Sequence, residues 1–204
     1  MSADVFAEVA REPGVPKPDP ILVADAIRRS FGGLAAVDVA HVEVQRNTIT
    51  ALIGPNGAGK TTFFNLLTGF DTPSTGTWHF NGMSMSGASP YKAARRGMVR
   101  TFQLTKSLTR MTVIENMRLG ATGQGGERLW AAPFRFLWRE QEAEITARAE
   151  VLLERFKLDH MRDEFGGSLS GGQRKLLEMA RALMVEPELV MLDAPMAGGT
   201  PARK

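Results

Sequence analysis

A glycine-rich turn set between an apolar run and a helical segment constrains this chain more than any other feature. Residues Gly54-Pro55-Asn56-Gly57-Ala58-Gly59-Lys60-Thr61 follow the spacing G-x-x-x-x-G-K-[ST]. Ile49-Thr50-Ala51-Leu52-Ile53 before them reads as a strand. Thr62-Phe63-Phe64-Asn65-Leu66-Leu67 after them reads as a helix, with Gly69 as its stop signal. Glycines at these positions let backbone N–H groups close around a triphosphate, where side chains would block the approach. The helix N-terminus adds partial positive charge at the same place. Lys60 is then placed for the β- and γ-phosphates and the Thr61 hydroxyl for a Mg²⁺ ion. The expected ligands are a nucleoside triphosphate and Mg²⁺.

A length of 204 residues suits one domain, or one domain with a small appended lobe. No stretch approaches the ~18 apolar residues that a membrane-crossing helix needs. The first residues, Met1-Ser2-Ala3-Asp4-Val5, lack the basic and apolar regions of a secretory signal. The absence of cysteine excludes disulfides and thiolate metal sites, and fits a reducing compartment. A net charge of +3, carried by basic residues in singles and pairs, gives no footprint for nucleic acid, and none is expected as a partner.

Residues 1–20 end in a run with four prolines in eight positions and read as a flexible leader. Two strands are expected between Ile21 and Val44, separated by a turn at Gly32-Gly33. A hairpin is expected at Thr77-Trp78-His79-Phe80 with Asn81-Gly82 as its turn. Ser89-Pro90 opens a short helix closed by Gly97, and Met98 to Phe102 looks extended. Thr112-Val113-Ile114-Glu115 is a capping box starting a helix that stops near Gly120. A mobile loop is expected over Gly120 to Gly126, then an amphipathic helix over roughly 139–157, marked by Ile145, Ala149, Leu152 and Phe156. The helical middle, about 104–168, reads as a subdomain inserted in an α/β lobe.

Leu169-Ser170-Gly171-Gly172-Gln173 stands just before a helix spanning Arg174 to Val185. Alone, it reads equally as a loop with a serine N-cap. It follows the phosphate loop by a helical segment and precedes Leu189-Val190-Met191-Leu192-Asp193, an apolar strand ending in a carboxylate. Such a strand-end aspartate commonly holds the Mg²⁺ of a P-loop enzyme.

This set resembles the nucleotide-binding domain of ABC transporters, from about Ile21 to Gly198. The resemblance implies an α/β P-loop NTPase core of ABC type, with an N-terminal antiparallel β subdomain and an inserted helical subdomain. It implies a domain over 21–204, C-terminally incomplete. Residues Gly54 to Thr62 would bind nucleotide, including Thr62, with Phe31 as a platform for adenine. Gln103 would sense the γ-phosphate and Mg²⁺ and act in catalysis with Lys60; Thr61, Gln103 and Asp193 would surround the metal. Leu169, Ser170, Gly171, Gly172 and Gln173 form the signature acting on the ATP of a partner chain. For Phe31 a core role stays open, and for Gln103 a surface polar role. Phe31-Gly32-Gly33-Leu34, Arg100-Thr101-Phe102-Gln103 and Met111 to Asn116 look like the ATPase subunits of branched-chain amino-acid importers. The implied partners are a second ATPase subunit and membrane permease subunits, with the chain peripheral on the cytoplasmic face of the membrane.

Three departures from the family pattern stand out. Ala194 occupies the position of the glutamate that polarises the attacking water. The chain ends at Lys204, short of the family's switch histidine, and His41, His79 and His160 all precede Asp193. Gly199 to Lys204 only partly resembles the loop that touches the partner subunit. By resemblance a further strand lies between the phosphate-loop strand and the Asp193 strand. The chain is therefore expected to be a fragment, or a shifted-frame reading, of a longer protein. The functional expectation is an ATP-hydrolysing energy-coupling subunit of an importer. The rival expectation is an ATP-binding, hydrolysis-deficient switch or truncated fragment. A soluble ABC-type protein acting on ribosomes or DNA is a third reading, disfavoured because only one phosphate loop and one signature are present.

Overall fold

The computed structural model describes residues 12, 14–101, 108–122 and 139–193. The chain divides into two compact units, Met1–Arg96 and Gly97–Lys204.

The first unit is built on an antiparallel sheet. Strand β1 (Pro20–Phe31) pairs with β2 (Leu34–Gln45) on one side and β3 (Thr75–Phe80) on the other, and β3 pairs with the short β4 (Met83–Ser84). The two-residue periodicity of β1 buries Leu22 and Ala24, then slips. Ala26 takes a left-handed φ of 51°, and the register with β3 shifts between Asp25 and Arg28. This bulge returns Ile27 to the buried side, where Trp78 and Phe80 of β3 are also buried. The β3–β4 turn carries left-handed φ at both Asn81 and Gly82, as a two-residue hairpin turn demands. Helix α1 (Lys60–Leu67) buries Phe63, Leu66 and Leu67, and α2 (Pro90–Arg95) is capped by Ser89. The end of the expected leader lies along β2: Lys17 N donates to Glu43 Oε2 at 2.5 Å and Asp19 N to Gln45 Oε1 at 3.0 Å.

One expectation fails here. Ile49-Thr50-Ala51-Leu52-Ile53 forms no strand, and Ile49 and Ile53 are 102% and 90% exposed. A strand is completed by its ladder, because each backbone N–H and C=O needs a partner. Among the described residues no neighbouring strand offers this run an edge. Its β-branched composition alone cannot supply one.

In the second unit, β5 (Met98–Thr101) and β6 (Leu189–Leu192) pair in parallel, with Arg100 opposite Met191 and Thr101 opposite Leu192. Helices α3 (Val113–Arg118), α4 (Arg139–Arg155) and α5 (Gly171–Leu183) enclose an apolar core. Ile145, Ala149 and Leu152 of α4 enter it at the expected spacing, with Met117 and Leu177 from the neighbouring helices. Both reciprocal bonds of the Thr112/Glu115 capping box are present. The expected loop after Gly120 lies outside the described residues from position 123 onward.

His41 of β2 is a polar staple on the first sheet. Its Nδ1 is 2.5 Å from Asp25 Oδ1 and its Nε2 3.2 Å from Glu43 Oε1. Only the doubly protonated ring can donate to both carboxylates. The hydrogen bond with Asp25 raises the His41 pKa above 6.5, with attraction to both carboxylates adding to it and partial burial opposing it. Since the folded value exceeds the unfolded one, the stabilisation is complete below about pH 6.5 and is lost as pH rises through the folded pKa. The melting temperature is expected to fall between about pH 6 and pH 8.5, and the fall to shrink in His41→Gln. Scanning calorimetry at the two pH values reads this directly.

Candidate functional site

The phosphate loop lies wholly in the first unit. Ala58 N donates to Pro55 O at 3.2 Å, making a tight turn, and Gly57 and Gly59 hold φ of 83° and 78°. Gly59 is the residue that admits no substitute. A Cβ there would overlap the Ala36 carbonyl oxygen of β2, and the left-handed φ would strain any other side chain. This close approach seats the start of α1 against the β1–β2 hairpin. Phe63 N then donates to Gly59 O at 2.8 Å, the opening hydrogen bond of α1. The first turn of α1 carries no acidic side chain, and Gly54 to Ala58 are exposed. The helix therefore presents its partial positive end to solvent.

Lys60 folds back onto the loop. Its Nζ donates to Gly54 O and Pro55 O, each at 2.7 Å. An arriving phosphate would have to draw the ammonium from these two carbonyls, exchanging neutral acceptors for charged ones. Thr61 is exposed on the first turn and Thr62 is half-buried beside it.

Phe31 ends β1, opposite Leu34, on the hairpin that Gly59 abuts. Its ring is 51% exposed and so is not a core residue, and the Arg29 guanidinium stands 4.8 Å from its centroid. Arg29 is itself held by Asp71 at 2.8 Å. An exposed aromatic with one flank occupied by a cation keeps area for a flat base to stack.

The second unit carries the other two expected groups. Leu169 is buried and anchors the turn into α5. Ser170 caps the helix: its Oγ accepts from Gln173 N at 3.3 Å, and Ser170 N donates to Gln173 Oε1 at 2.9 Å. Gln173 is thus committed to the cap, which the sequence reading missed although the S-x-x-Q spacing was there to find. The first helical residues, Gly171 and Gly172, are exposed, with open space where each Cβ would stand. Asp193 follows β6, 8% exposed, with Oδ2 2.7 Å from Arg100 Nη2. Gln103, Ala194 and the 199–204 tail lie outside the described residues.

A family profile described as ABC transporter matches residues 37–197. The chain belongs to the ABC transporter ATP-binding family. Its relatives include the probable branched-chain amino acid transport ATP-binding protein LivG of Archaeoglobus fulgidus, 40% identical over 89% of this chain and 70% of the relative. The high-affinity branched-chain amino acid transport ATP-binding protein BraF of Pseudomonas aeruginosa is 38% identical over 89% of this chain and 72% of its own length. Among solved structures, an ATP-binding cassette of an ABC transporter in its ADP conformation superposes with a TM-score of 0.74 at 38% identity, over 89% of this chain and 71% of that one. CbiO1 of Clostridium perfringens, part of the cbiONQ transporter complex, gives 0.73 at 27% identity, over 88% and 67%. The fold class expected from the motifs is therefore that of the ABC cassettes: a P-loop core with an antiparallel β subdomain and inserted helices. No helix among the described residues of this ABC ATPase is long and apolar enough to cross a membrane.

Proposed function

We propose that this chain is the ATP-binding, energy-coupling subunit of an importer for branched-chain amino acids, peripheral on the cytoplasmic face of the membrane. The cargo rests on the names carried by relatives 38–40% identical to it, since nothing in a phosphate loop reads a transported solute. The observation that carries the mechanism is the open cap of α5. Ser170, Gly171 and Gly172 face solvent with no covering side chain around the glycines, as a group that completes another chain's site must.

The residues present fit a divalent cation in donor chemistry. Among the described residues no cluster of three or more acidic or histidine side chains could hold a metal alone. The Thr61 hydroxyl beside the phosphate loop is a hard oxygen donor, suited to an ion that arrives with nucleotide phosphates, and the family resemblance would add the Asp193 carboxylate. When bound, Mg²⁺ neutralises charge on the transferring phosphoryl group. The chain's own groups do the rest. Phe31 stacks the base, the loop N–H groups and Lys60 hold the phosphates, and Gln103 reports γ-phosphate occupancy toward the permease. Ser170 and Gly172 of a partner complete the site in a head-to-tail dimer.

A second reading follows from one residue. Ala194 offers no acceptor for the proton of an attacking water, so the chain would bind ATP and close without turning it over. Both readings require ATP-dependent dimerisation. Analytical ultracentrifugation is expected to show a dimer with Mg-ATP and a monomer without it. Gly172→Glu, placed where a Cβ meets nothing, is expected to stay folded and bind ATP yet remain monomeric. A monomer in all conditions, from a chain that binds ATP, would remove the dimer mechanism.

A further inference from the structure

Arg29 and Phe31 stand two residues apart on β1, so alternation sends both side chains to one face of the sheet. The ladder to β2 skips Ala36 between the pairs Arg29–Val37 and Ser30–Ala35. The Ala36 carbonyl is also the group that a Cβ on Gly59 would strike. The bulge that sets off the Phe31 end of β1 is thus the contact with the phosphate loop as well.

Arg29 is fixed from the far end of α1. Its Nε donates to Asp71 Oδ2 at 3.0 Å, and its Nη2 lies 2.8 Å from Asp71 Oδ1. Two such bonds set the plane of the guanidinium as well as its position. Asp71 is held in turn: its N–H donates to Asn65 O at 3.2 Å, and its Oδ1 accepts from Thr72 N at 2.8 Å. The Arg29 and Asp71 side chains are 28% and 22% exposed, sheltered enough for the fork to persist. The guanidinium so oriented lies over the Phe31 ring, 4.8 Å from its centroid.

We propose that Arg29, locked by Asp71, is a positioning residue for nucleotide recognition: it holds the Phe31 ring ready for the base. The proposal rests on the reading of Phe31 as the base platform. An exposed phenylalanine samples several rotamers, and a ligand that stacks on it must first stop that motion. A guanidinium over the ring removes those alternatives before nucleotide arrives and leaves the exposed area to the base. Because Arg29 acts through the ring, its effect depends on a base being present.

Calorimetric titrations with Mg-ATP and with Mg-tripolyphosphate, which has phosphates but no base, test this. Phe31→Ala is expected to weaken ATP binding about tenfold and to leave tripolyphosphate binding unchanged. Arg29→Gln is expected to weaken ATP binding about threefold, again with tripolyphosphate unchanged. Added to Phe31→Ala, Arg29→Gln should change ATP affinity no further, since the ring it acts through is gone. If Arg29→Gln does not fold, Arg29→Gln with Asp71→Asn leaves a neutral pair and carries the same measurements. Unchanged ATP affinity in the folded Arg29 variant, while Phe31→Ala loses affinity, would overturn the proposal alone. Equal losses for ATP and tripolyphosphate would also overturn it, as would a loss that persists in the Phe31→Ala background. If Phe31→Ala leaves ATP affinity intact, the base-platform reading falls and takes the proposal with it.

Discussion

Glutamate installed at position 194 is expected to raise ATP turnover by about 10²–10⁴-fold, the range a positioned general base contributes. Attack on the γ-phosphoryl needs a water whose proton is accepted as the new bond forms, and the methyl of Ala194 accepts nothing. The increase corresponds to roughly 3–5 kcal/mol of barrier. On the family resemblance, which puts position 194 beside the γ-phosphate, ATP affinity should fall slightly in the same variant, because a carboxylate there repels the phosphate. Phosphate release at saturating Mg-ATP, with affinity measured in parallel, separates the two effects. Turnover that does not move would mean Ala194 is not what limits this chain.

The largest structural effect is expected from Asn116→Ala. Asn116 is fully buried in α3 and fastens the approach to that helix. Its Oδ1 accepts from Leu108 N at 2.9 Å, and its Nδ2 donates to Leu108 O, Met111 O and Thr112 O within 3.2 Å. The three carbonyls have other donors: Met111 N, Gly166 N and Asn116 N respectively. Leu108 N is the group that loses its acceptor. Leu108 is 44% exposed, so water can take over as acceptor and the lost bond costs about 0.5–1.5 kcal/mol, to which the cavity left by the buried amide adds. A loss of about 1–3 kcal/mol is therefore expected, which lowers the melting temperature by roughly 2–12 °C. Denaturant melts followed by circular dichroism would show it, and a shift under ~1 kcal/mol would mean the clasp is redundant.

What was legible in the sequence is what is decided locally. The Thr112/Glu115 box and the Asn81-Gly82 turn form because residues within four positions of one another satisfy each other's backbone. The glycine loop is legible for the same reason, since Gly59 needs its left-handed φ whatever surrounds it. Ile49 to Ile53 misled because β-branched composition states a preference, while a strand also needs an edge to pair with. Arg100–Asp193 spans 93 positions, and no pattern around Arg100 names its partner. That His41 bridges Asp25 and Glu43 depends on a strand register no spacing rule supplies.

The central claim is that Gly54 to Thr62 hold a nucleotide in this chain. Calorimetric titration with Mg-ATP tests it most directly, comparing the parent with Lys60→Ala. The account predicts saturable binding of one ATP per chain, lost in Lys60→Ala while the variant melts like the parent. A folded parent that binds no ATP, or a Lys60→Ala chain that binds it equally well, would contradict the account.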